Sequence, residues 1–133
     1  ELGHTPRVAL LSFSSFGNPP REKALRVQEA VRVLDGRSVD FEYDGEMAAD
    51  VALDPELMKS LYPFCRLTGP ANVLIMPALH SANITAKLLP QMGGAALGPF
   101  LVGLSRPVQI VQTGATVSEV VSAAAQAARQ AAE

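Results

Sequence analysis

The feature that most constrains the fold is a continuous apolar run, Arg7-Val-Ala-Leu-Leu-Ser-Phe-Ser14, which breaks off in the polar turn Ser14–Pro20 and gives way to a one-faced helical stripe. An unbroken apolar run of this length fits a strand buried on both faces, as in a parallel sheet. Between Arg21 and Leu34 the apolar residues Ala24, Val27, Val31 and Leu34 recur at helical spacing. Asn18 is placed to cap this helix, with Pro20 in its first turn. Asp35-Gly36 is placed to stop it, Gly36 suiting a left-handed terminus.

The same grammar continues along the chain. Val39–Tyr43 alternates in polarity like a strand, and Met47–Leu53 follows with helical character. Asp54-Pro55-Glu56 signals a helix start that carries through Leu57 and Leu61 to the neighbourhood of Pro63. Val73–Met76 reads as a compact buried strand closed by Pro77. A helix is expected from Ser81 through Ile84, Leu88 and Met92, kinked at Pro90 and closed by Gly93-Gly94. Phe100–Leu104 and Val108–Val111 read as two further strands. From Thr116 to about Gln130 an Ala-rich helix is expected, opened by the capping box Thr116-x-x-Glu119. Strands alternating with helices predict an α/β layer sandwich with a mainly parallel sheet. Ligands of such sheets sit beyond the carboxyl ends of the strands, which directs attention to the loops after Leu11, Met76 and Val111.

Composition narrows the function. The chain has 133 residues, 48% of them apolar, so it supports a core rather than a disordered segment. Eleven basic residues against thirteen acidic ones give a net charge of −2, with no footprint for nucleic acid or an anionic membrane. No apolar run reaches the ~20 residues needed to span a bilayer. A single cysteine, Cys65, fits a reducing cytoplasm and reads as a buried, inert thiol. The chain opens on Glu1-Leu2-Gly3-His4 without an initiating Met, as a fragment of something longer would.

Few motifs suggest chemistry. There is no Walker A sequence, no G-x-G-x-x-G and no G-x-S-x-G. His4 and His80 have no Cys or His partners at ligand spacing, so no metal site is expected, and His80 reads as an exposed residue near a helix start. Asp40, Glu42 and Asp44 fall on one face of the second strand and read as a solvated edge, while Asp44 and Glu46 around Gly45 suit carboxylates that bind backbone amides. The serines of Ser12–Ser15 could present hydroxyls and amides to a phosphate, or simply serve as caps.

The strings Ala9-Leu-Leu-Ser-Phe-Ser-Ser15, Asp44-Gly-Glu46 with Asp50, Gly69-Pro-Ala-Asn-Val-Leu-Ile-Met-Pro77, Ala82-Asn-Ile84 and Gly98-Pro-Phe-Leu-Val-Gly-Leu104 with Pro107-Val108 occur together and in order. This set resembles the C-terminal part of the phosphate acetyl/butyryltransferase family, over nearly the whole chain from Arg7. The wording is most similar to the phosphotransacetylase-like domain fused to bacterial NADP-dependent malic enzymes. The resemblance implies a three-layer α/β/α sandwich of the isocitrate/isopropylmalate dehydrogenase kind, with residues 7–108 mostly forming the second lobe and 109–133 returning toward the first. It implies a non-catalytic regulatory and oligomerisation role in a cytoplasmic enzyme: a dimer through this lobe, a malic-enzyme domain in cis that uses NADP and a divalent metal (Mg or Mn), and acetyl-CoA or CoA as effector. No cofactor or metal is implied for the fragment itself.

Active acyltransferases of this family carry Asp-Leu-Ser-Arg-Gly-Cys followed by an acidic residue. By the same resemblance, that serine falls on Gln112, the arginine on Thr113 and the cysteine on Ala115, with Glu119 at the acidic position. Ala78 stands at the acidic position of the family's Pro-Asp-Leu, and Ala82 replaces the Gly before Asn. No catalytic residue is therefore expected here. A residual acetyl-CoA site would comprise Asn83, Gly98, Gln112, Thr113, Gly114 and Glu119. Two other readings remain: a fragment of an active phosphate acetyltransferase, opposed by Gln112 and Thr113, and a purely structural dimerisation module.

Overall fold

A computed structural model describes residues 3–94, 98, 99, 101 and 103–132. The chain forms two compact units, residues 1–85 and 86–133. In the first, β1 (Arg7–Leu11), α1 (Glu22–Asp35), β2 (Glu42–Met47), α2 (Ala49–Leu53), α3 (Pro55–Leu61) and β3 (Val73–Ile75) follow in order. The strands make a parallel sheet in the order β2-β1-β3. The start of α4 (Leu79–Gln91) lies in this unit, and its end in the second, which also holds α5 (Val117–Ala132).

Because β1 is central, its side chains feed two cores. Val8 and Leu10 pack with Val27 and Val31 of α1. Ala9 and Leu11 point the other way, onto Met47, Val51, Ala52 and Met58 of β2, α2 and α3. The sheet is thus sandwiched between α1 and the α2/α3 pair: the parallel sheet is the one that the sequence pattern predicts, and the α/β/α layering is the one that the family resemblance implies.

Several local expectations are corrected. β1 stops at Leu11, because Ser14 and Ser15 are buried polar residues committed to loop bonds. Asn18 does not cap α1: its N–H donates to the Ser15 carbonyl in a turn, and the N-cap position is Arg21, without a side-chain cap. Gly36 ends α1 in the right-handed region, at φ −82°. β2 begins three residues later than Val39 and runs to Met47. β3 is not buried, since Val73 and Ile75 are 37% and 48% exposed. α4 begins at Leu79 rather than Ser81, whose hydroxyl donates to the Ala78 carbonyl within the first turn. Pro90 is the penultimate residue of α4, so the helix ends just beyond the missing donor, and Gly93 (φ +94°) turns the chain away. The described residues of Phe100–Leu104 and Val108–Val111 form no named strand; Phe100 and Val102 lie outside the described residues.

Asp54 caps α3 as expected, accepting from the N–H groups of Glu56 and Leu57. The box at α5 forms as written: Thr116 donates its N–H and hydroxyl to Glu119 Oε2, at 2.6 and 2.8 Å, and the Glu119 N–H donates to Thr116 Oγ1.

Gly45 faces Leu10 of β1. Its φ is +150°, and a Cβ there would meet the Leu10 carbonyl oxygen at 2.6 Å. Gly45→Ala should therefore lower stability by about 2 kcal/mol, read as a fall in the urea unfolding midpoint with an unchanged slope.

Candidate functional site

The first unit presents a tightly held loop at the carboxyl end of β1. Its anchor is Glu46. The β1–β2 register slips there, Leu10 facing Gly45 but Leu11 facing Met47, so Glu46 is an extra residue in the strand and is turned inward. It is 1% exposed. Its Oε1 accepts from the Ser14 hydroxyl (2.9 Å), the Gly17 N–H (2.7 Å) and Gln28 Nε2 on α1 (3.2 Å). The Phe16 N–H donates to the Glu46 carbonyl, and the Ala48 N–H to Ser15 Oγ. These bonds hold Phe16 at a positive φ of 49°, with its ring against Tyr62 and Phe64 at centroid distances of 5.1 and 5.0 Å. The Ser14 hydroxyl is thus given to Glu46, and Ser15 Oγ accepts from the Ala48 N–H rather than from an amide of α1.

The other β2 carboxylates hold the 66–68 segment. Asp44 Oδ2 accepts from the Arg66 N–H (2.7 Å), and Glu42 from the Thr68 N–H (2.9 Å) and hydroxyl. Asp44 is buried rather than solvated, because two alternate side chains of β2 pair with two alternate amides of the 66–68 segment. Asp40, by contrast, is exposed. The Arg66 guanidinium bridges Asp44 and Asp35 and lies over the Tyr43 ring, 4.7 Å from its centroid. Bonds from Arg66 and then the Tyr43 hydroxyl hold the Asp35 carboxyl below its ordinary 3.8. Burial disfavours the charged Arg66, but its bonds to Asp35 and Asp44 outweigh that and raise its pKa. Burial pushes the half-buried Cys65 thiol up to about 11, which leaves it inert.

The residues singled out from the sequence fall in both units. Asn83 is in the first, exposed on α4 and one turn beyond its start, so the free amides of the helix terminus precede it. The other five are in the second. Gln112, Thr113 and Gly114 form a turn closed by the Ala115 N–H on the Gln112 carbonyl (3.0 Å), directly before the α5 capping box that holds Glu119. Bonds from the Thr116 backbone and then its hydroxyl lower the pKa of Glu119. Gly98 stands apart in sequence with φ +111°, while a Cβ on Gly114 would meet nothing within 4 Å. His80 is exposed on α4. Among the described residues, no group of three or more His, Cys, Asp or Glu could hold a metal, and no helix is long and apolar enough to cross a membrane.

The parallel α/β sandwich and the loop at its carboxyl edge define a class that sequence comparison makes specific. Residues 1–128 match the family model described as phosphate acetyl/butaryl transferase. The chain belongs to that family. It is 58% identical to an NADP-dependent malic enzyme of Rhizobium meliloti, over 96% of this chain and 17% of that protein. It is 42% identical to a phosphate acetyltransferase of Treponema pallidum, over 93% of this chain and 38% of that one. A crystal structure of a phosphotransacetylase from Streptococcus pyogenes superposes with a TM-score of 0.88 at 33% identity, covering 96% of this chain and 39% of that chain. The chain therefore spans about a sixth of the malic enzyme and about two-fifths of the transferases. It resembles the phosphotransacetylase-like part of malic enzymes.

Sequence reasoning read Glu46 as a carboxylate that binds backbone amides, as its bond from the Gly17 N–H bears out, but missed its burial, its partner Gln28, and Arg66 as the partner of Asp44 and Asp35. The one available signal was a carboxylate between Gly45 and Met47 in an otherwise inward-facing strand end. Two outcomes follow. Glu46→Ala should destabilise by about 3 kcal/mol, because a buried hydroxyl and amide lose their acceptor at ~1–3 kcal/mol each; urea unfolding reads this. Arg66→Ala should raise the Asp35 carboxyl toward its ordinary range in a carbon-13 pH titration, with the bond from the Tyr43 hydroxyl remaining. Because the folded-state pKa of Asp35 is depressed, its contribution is present above the unfolded value and is lost as pH falls through the folded one. The stability gap between wild type and Arg66→Ala should thus be constant above about pH 5 and narrow below about pH 4.

Proposed function

We propose that this chain is the non-catalytic regulatory and assembly domain of a cytoplasmic NADP-dependent malic enzyme and that it responds to acetyl-CoA. The observation that carries this reading is the turn Gln112-Thr113-Gly114-Ala115, where the family resemblance places Ser-Arg-Gly-Cys in active transferases. Acyl-phosphate chemistry develops anionic charge that a guanidinium offsets with several fixed donors. Thr113 offers one hydroxyl and no charge. Glu119, which would have to act on the CoA thiol, is held by Thr116 with its pKa lowered, and so is a weakened base. The greater identity to the malic enzyme than to the acetyltransferase supports the same assignment.

Within this reading the residues that the family resemblance assigns to CoA are Asn83 in the first unit and Gly98, Gln112, Thr113, Gly114 and Glu119 in the second. NADP and the divalent metal belong to the malic-enzyme domain in cis. Val117, Val120 and Val121 of α5, respectively 81%, 46% and 61% exposed, supply apolar surface for a two-fold dimer.

The full-length protein should oxidise malate with NADP and transfer no acetyl group between acetyl phosphate and CoA above background in a thiol-release assay. Asn83→Ala and Gly114→Val should each weaken the acetyl-CoA effect on malate turnover while leaving turnover without effector within a few fold. Gly114 has open space around it, so a lost response there reports a lost ligand contact rather than misfolding. Acetyl transfer that disappears on mutation of residues 112–114, or an unchanged acetyl-CoA response in both variants, would overturn the proposal.

A further inference from the structure

We draw no further inference here: the strongest candidate, the aromatic cluster of Phe16, Tyr62 and Phe64 beside the loop at the carboxyl end of β1, with Phe64 65% exposed, carries none because nothing in the structure shows what covers it.

Discussion

The first unit depends on one buried carboxylate. Glu46 is taken out of water almost completely, and its Oε1 is compensated by three donors from two different segments, the β1 loop and α1. Without an acceptor there, Ser14 and Gly17 would be buried donors without partners, and the loop at the carboxyl end of β1 would have no reason to hold Phe16 at positive φ. The bulge in β2 and the glycine before it are the backbone conditions that let the carboxylate reach inward. One strand end therefore fixes the loop, the placement of α1 through Gln28, and the aromatic group around Phe16.

The same strand uses the same chemistry a second time. Asp44 and Glu42 accept the amides of Arg66 and Thr68 and so tie the 66–68 segment to β2. On β3, by contrast, the apolar side chains of Val73 and Ile75 remain exposed.

Much of this was legible in the sequence where a local rule decides the outcome. The Asp54 and Thr116 caps formed as written, because capping involves residues two or three apart and needs no tertiary information. β1 followed from an unbroken apolar run, α1 from helical spacing, and α5 from its alanine content and capping box. The acidic residues of β2 were legible in kind, as carboxylates that bind backbone amides. Their partners were not, since Arg66 and Thr68 lie more than twenty residues away and come close only through the fold. That Glu46 turns inward was not legible for a similar reason: alternation says nothing of a register slip. β3 read as buried because its composition is that of an inner strand, and composition does not reveal which covering layer is present in residues 1–133. The candidate ligand residues came from resemblance, and the structure places four of them, Gln112, Thr113, Gly114 and Glu119, on one turn and helix start.

The family fold is kept here, with a neutral turn at 112–115 and Glu119 employed as a helix cap. On the proposed reading such a domain recognises acetyl-CoA without transforming it. The most direct measurement is calorimetric titration of acetyl-CoA into the full-length protein in the absence of malate and phosphate. Saturable binding at one site per chain, with acetyl-CoA recovered intact afterwards, is the result this account requires. No binding heat at any attainable concentration, or acetyl-CoA consumed during the titration, would contradict it.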